Sequence, residues 1–314
     1  MPSRQPPANH RAEKLLERIE WTSLKRLDGF VQGDFRTVFR GWGIDLAGLR
    51  EYELSDDVRH IDWNVTARMM VPYIRRYNED RDVTVWFLAD VSPSMHFGSS
   101  QRTKLDVARE LVGLLGALFV RHGNRVGLAG FDNNSLTIYG SGTGRKHLLL
   151  LLDRLLPAKP GPARKTNLAA GRTDLAGGLR RLSGLVQRRS IIVLLSDLFS
   201  PGGWEKHLGM LALKNELLVA RLVDPMERAL PRIGFVLMGD PETGEQILVD
   251  TNDRGFRRRF QAESLERESA IRGALSRAAA DAVEFSTAAD VVDTLIRYIS
   301  LRSPKTAAAA GRRA

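Results

Sequence analysis

The chain has 314 residues, 43% of them apolar, with a formal net charge of +10 and no cysteine. That length allows one large or two modest domains with an ample core, and the missing cysteine excludes disulfides, thiolate metal sites and cysteine nucleophiles. The densest basic clusters, Arg188-Arg189, Arg257 to Arg259 and Arg312-Arg313, are not interleaved with aromatic residues, so they read as solvated helix faces and a tail rather than as a base-reading surface.

Residues 1–10 are polar and proline-bearing and are expected to be disordered, with no apolar leader. The longest apolar runs, 111–120 and 148–152, are too short to span a bilayer, and a cytoplasmic protein is expected. Residues 12–27 place Leu15, Leu16, Ile19, Leu24 and Leu27 at helical spacing. From 30 to 82 the texture changes to short β-prone pieces broken by glycine, and 72–77 is expected to pair as a hairpin with the strand that follows. Asp56, Asp57 and Asp62 are expected in salt bridges with Arg50, Arg59 and Arg68. Residues 11–81 thus make an N-terminal helix and β-rich extension, 82–302 the main domain, and 303–314 a disordered tail.

The main domain opens on VTVWFLADVSPSM at 83–95, a β-branched and aromatic run leading straight into Asp90. Residues two apart in an extended segment point the same way, so Asp90, Ser92 and Ser94 converge beyond the end of the strand as an oxygen-only site suited to Mg²⁺ or Mn²⁺. Helical periodicity follows over 103–122, strands over 125–131 and 136–139, a helix over 146–156 and a Pro/Gly/basic loop over 157–172. Then come a helix over 174–186, a buried strand over 190–195, a helix over 204–215, a strand over 216–223 and a hairpin over 233–250. A helix over 254–280, a strand over 283–286 and a helix over 289–301 complete the domain. The glycines at 140–144 lack the spacing of a phosphate-binding loop.

Alternating strands and helices predict an α/β fold with a doubly wound, mostly parallel sheet, whose ligand crevice lies at the C-terminal ends of the strands. Asp197 follows its buried strand as Asp90 follows the first, and Thr173 stands at a helix start, where a hydroxyl serves as N-cap and also faces a metal. Thr166 competes with Thr173 for that place, and the serines and Asp197 are also ordinary capping residues.

At these residues the sequence resembles the von Willebrand factor A domain, whose metal-ion-dependent adhesion site combines D-x-S-x-S, a threonine opening a T-x-L-type helix and an aspartate after the fourth strand. A closer resemblance is to the bacterial domain-of-unknown-function 58 family (DUF58). It rests on GWGIDLAGLREYELSDDVRHIDWNVTAR, RRYNEDRDVTVWFLADVSPSM, VDPMERALP and DPETGEQILVD, which together span most of the chain. It implies Mg²⁺ (or Mn²⁺) held directly by the hydroxyls of Ser92, Ser94 and Thr173, and by Asp90 and Asp197 directly or through water, with an open position for a partner's Asp or Glu. It also implies a MoxR-type AAA+ ATPase as partner and no established catalysis; members with N-terminal membrane helices are common, and this sequence departs from them. Pro93, His96, Arg172 and Leu198, beside those ligands, are the candidate partner contacts. The alternatives are a Mg²⁺-dependent phosphatase, against which Ser92 stands where a second acid is usual, and a nucleic-acid binder.

Overall fold

The computed structural model describes residues 8–19, 26, 46–53, 66–67, 69, 71–77, 83–132, 135–155, 173–240 and 245–302. Helix α1 (Ala8–Arg18) starts inside the stretch expected to be disordered. Ala12, Leu16 and Ile19, spaced on one helical face, are buried. The following strands, β1 (Leu46–Glu51) and β2 (Tyr73–Tyr77), pair antiparallel with each other. This corrects the hairpin expected between 72–77 and the next strand: that strand is flanked on both sides by parallel neighbours and has no free edge to offer. Asp56, Asp57 and Asp62, the loop at 157–172 and the tail at 303–314 lie outside the described residues.

The main domain follows the predicted alternation. Strand β3 (Thr84–Asp90) leads to helix α2 (Lys104–Arg121), then β4 (Arg125–Phe131), β5 (Leu136–Gly142) and α3 (Gly144–Leu155). Helix α4 (Leu175–Leu185), β6 (Ile191–Ser196), α5 (Trp204–Lys214) and β7 (Glu216–Val223) come next. A hairpin of β8 (Phe235–Gly239) and β9 (Gln246–Asp250), helix α6 (Arg254–Arg277), β10 (Asp281–Ser286) and α7 (Val291–Arg302) complete it. Six of these strands form one sheet in the order β10-β7-β6-β3-β4-β5, parallel throughout except for the edge strand β5.

Side chains alternate across β3, so Val85, Phe87 and Ala89 enter the core shared with α1, α2, α3 and α7, while Trp86 and Leu88 enter the one shared with α4, α5 and α6. Both faces are covered, which is why the strands read as continuous apolar runs. Across the β3–β4 ladder Trp86 sits opposite Gly127, where an added Cβ would lie 2.8 Å from the indole ring. Gly127→Val is therefore expected to lower stability by about 1–3 kcal/mol, read as a lower urea midpoint at unchanged slope.

Partly buried ion pairs hold α6 over the sheet: Arg221 of β7 donates to Glu268 of α6 at 2.8 Å, and Arg228 reaches the same carboxylate at 2.9 Å. Among the described residues no helix is long and apolar enough to cross a membrane. From β3 the chain moves outward through β4 and β5, then returns to β6 and moves the other way. The order therefore reverses between β3 and β6, and a crevice opens at their C-terminal ends.

Candidate functional site

Asp90 is the last residue of β3, and the pairing of Ala89 with Leu195 sets it level with Ser196, one residue before Asp197. The Asp90 carboxylate is 1% exposed. Its Oδ1 accepts from the Ser92 amide at 3.0 Å and its Oδ2 from the Ser196 hydroxyl at 2.8 Å. Burial, followed by the Asp197 charge, pushes its pKa up to about 7 against the opposing effect of those hydrogen bonds.

Beyond Asp90 the chain enters a short 3₁₀ turn, Pro93–His96, for which Ser92 stands at the capping position without making a side-chain cap. Instead the Ser92 and Ser94 hydroxyls, both buried, lie 3.0 Å apart. Adjacent ligands of an octahedral Mg²⁺ with bonds of 2.0–2.1 Å are about 2.9 Å apart, so the spacing suits that ion. Within the turn Pro93 is half-buried and His96 exposed.

Thr173 is 1% exposed, at the same sheet edge, but it is not the helix cap. Asp174 caps α4 by accepting from the Gly177 amide at 2.8 Å. The expectation failed because two adjacent residues were both good caps and the carboxylate took the role. The Ser200 hydroxyl donates to the Thr173 carbonyl at 2.6 Å and accepts from the Leu175 amide at 3.2 Å, tying this segment to the loop that carries Asp197. Thr166 and Arg172 lie outside the described residues.

Asp197 is 1% exposed and its Oδ1 accepts from the Phe199 amide at 2.9 Å. Leu198 between them has a left-handed backbone, φ 64°, an uncommon state for a bulky side chain that marks this loop as constrained. Leu198, an expected partner contact, is only 2% exposed and lines a cavity.

Sequence reasoning missed Lys104. Its ammonium is fully buried and donates to Asp197 Oδ2 and Glu227 Oε1, each at 2.6 Å. Burial disfavours its charge, but the two carboxylates outweigh that and hold its pKa above the usual lysine value. Glu227 is shifted upward, chiefly by its own burial. Both residues left a trace in the sequence. A lysine at the first position of a helix opposes the positive end of the helix dipole, and Asp224-x-x-Glu227 is a capping box at the end of a buried strand. In that box Asp224 also accepts from the Ser99 amide at 2.8 Å and the Thr287 hydroxyl at 2.6 Å, and these hydrogen bonds overcome its burial to lower its pKa.

Asp90, Asp197 and Glu227, when ionised, carry three negative charges against one on Lys104. A divalent cation balances the remaining two, and the hydroxyls are neutral donors of the hard kind Mg²⁺ accepts. Among the described residues no three His, Cys, Asp or Glu side chains gather as a metal cluster, so a cation here would need hydroxyl donors, of which Ser92 and Ser94 are brought together. The donor set fits Mg²⁺. Beside it opens a cavity of about 610 Å³, reached from Ser94 and walled by Leu198, Phe199, Trp204, Met238 and Phe260.

The sequence profile described as "Protein of unknown function DUF58" matches residues 48–270. An uncharacterized protein from Mycobacterium tuberculosis is 30% identical over 290 residues, covering 91% of this chain and 88% of its own length, and one from Mycobacterium bovis matches equally. Among solved structures, an aerotolerance-related membrane protein from Bacteroides fragilis covers 71% of this chain and 99% of its own, at 14% identity and a TM-score of 0.44. BatB from Bacteroides thetaiotaomicron covers 70% and 98%, at 16% identity and a TM-score of 0.41. The VWA domain of SpRpn10 covers 68% and 94%, at 15% identity and a TM-score of 0.40.

Proposed function

The chain belongs to the DUF58 family of proteins of unknown function, and from the geometry of its sheet edge we propose that it is a Mg²⁺-dependent protein-interaction module. The observation that supports this best is the pair of buried carboxylates, Asp90 and Asp197, at the ends of adjacent strands beside the topological switch point, where the charge of Asp197 adds to burial in raising the pKa of Asp90 and the single ammonium of Lys104 is shared between Asp197 and Glu227. Buried charges of one sign call for a counter-charge, and a divalent ion held by hydroxyls and shared carboxylates supplies it.

In this reading Ser92, Ser94 and Thr173 bind the ion, Asp90 contributes its carboxylate, and Lys104 holds one oxygen of Asp197 so that only the other side of that group faces the metal. With its charge only partly cancelled by direct carboxylate bonds, the ion retains an appetite for one more oxygen, which a partner's Asp or Glu provides. The partner proposed is a MoxR-type AAA+ ATPase, the class of protein that the family resemblance implies. Asp90→Ala is expected to abolish Mg²⁺-dependent capture of that ATPase in a pull-down while the circular dichroism stays that of the parent chain. Equal capture in EDTA by the parent chain would contradict the proposal.

A further inference from the structure

Lys104 does more at the sheet edge than balance charge. We propose that it decides which divalent ion the site takes, favouring Mg²⁺ over Ca²⁺ by holding carboxylate oxygens that the larger ion needs. This rests on reading Asp90, Ser92, Ser94, Thr173 and Asp197 as a cation site, and adds to it the residue that makes the site selective.

The two ions carry the same charge and differ in the oxygens they demand. Mg²⁺ takes six at about 2.0–2.1 Å in a near-ideal octahedron, whereas Ca²⁺ takes about six to eight at about 2.3–2.6 Å and often binds a carboxylate through both oxygens. A site that withholds carboxylate oxygens therefore favours the smaller ion.

Each carboxylate here is engaged at both of its oxygens. Asp90 accepts from the Ser92 amide on one and from the Ser196 hydroxyl on the other. Asp197 accepts from the Phe199 amide at Oδ1 and from Lys104 at Oδ2. Glu227 accepts from Lys104 at Oε1, 2.6 Å away, and from the Asp224 amide at Oε2, 3.0 Å away. Turning Asp197 or Glu227 into a bidentate ligand means breaking a charge-assisted hydrogen bond, the strong kind.

Lys104 is itself held in place. It follows Thr103, whose hydroxyl accepts from the Asp106 amide at 3.1 Å and whose own amide donates to the Asp106 carboxylate at 3.0 Å. That capping box fixes the point from which the lysine side chain departs. At the far end the ammonium meets two carboxylates and the Phe199 ring, whose centroid lies 5.0 Å away. Fully buried, it has no bulk water to turn to. It thus acts as an immobile counter-ion that keeps Glu227 and one oxygen of Asp197 away from the metal.

A purely electrostatic role predicts something else. Losing one positive charge would strengthen the binding of Mg²⁺ and Ca²⁺ by similar factors, whereas releasing oxygens shifts the ratio between them. Calorimetric titration of each ion into the parent chain, Lys104→Met and the double variant Lys104→Met/Glu227→Gln separates the two. The double variant loses one charge of each sign, so the site keeps its net charge, and it is expected to retain the parent circular dichroism even where the single variant unfolds. The parent chain is expected to bind Mg²⁺ more tightly than Ca²⁺, and in both variants the ratio of affinities is expected to move at least about tenfold towards Ca²⁺ as Asp197 Oδ2 is released. An unchanged ratio in the double variant, or a parent chain that binds Ca²⁺ as tightly as Mg²⁺, would overturn the selectivity and leave the cation site standing. A parent chain that binds neither ion would overturn both.

Discussion

Replacing Lys104 with methionine is expected to destabilise the metal-free chain by about 3–5 kcal/mol near neutral pH, measured by urea unfolding. Methionine fills a similar volume, so the loss is one of charge rather than packing. The ammonium is fully buried and holds two carboxylates at 2.6 Å each, and without it Asp197 and Glu227 are left buried and mutually repelling. The pH dependence has a definite sign. Burial raises the folded pKa of Glu227, so in the variant that carboxyl takes up a proton more readily as pH falls, and the deficit shrinks toward acid pH. Because the extra negative charge also strengthens cation binding, Mg²⁺ is expected to recover part of the lost stability.

The second large effect concerns Asp90. Its pKa in the folded chain is pushed up to about 7, against about 3.9 in an unfolded one, so between those values the native state holds a proton that the unfolded state has lost. The stability associated with this group is full below the unfolded value and is lost as pH rises through the folded one. Metal-free protein is therefore expected to lose on the order of a few kcal/mol between about pH 4 and pH 7 through Asp90. Asp90→Asn removes that slope and raises stability on the alkaline side, since the amide still meets the Ser92 amide and the rotatable Ser196 hydroxyl. The same substitution is expected to abolish the stabilisation that Mg²⁺ gives the parent chain under the proposed function. A mutation that strengthens the apo fold while removing the response to metal is hard to obtain from a purely structural aspartate. Paired pH series of urea midpoints, with and without Mg²⁺, read both effects.

Much of the fold was legible because the main sheet is buried on both faces, which writes its strands as unbroken runs such as TVWFLAD and IIVLLS between amphipathic helices. Asp90 and Asp197 were visible for the same reason: each follows such a run, and strand ends in a doubly wound sheet lie at the crevice. The pairing of β2 was not legible, since a short strand carries no mark of which edge it joins, and it joined β1. Thr173 was misassigned as a cap because Asp174 beside it is an equally good one. The Lys104 bonds to Asp197 and Glu227 span 93 and 123 residues, and only the folded sheet brings those ends together. A lysine opening a helix and the Asp224-x-x-Glu227 capping box were the local signs.

Asp90 and the hydroxyls around it are proposed to hold one divalent cation. Calorimetric titration of Mg²⁺ into the parent chain and into Asp90→Ala, at about pH 8 where Asp90 is ionised, tests it most directly. One bound ion per parent chain is expected, none in the variant, and weaker binding to the parent chain as pH falls through about 7. Absence of binding to the parent chain, or equal binding by the variant, would contradict it.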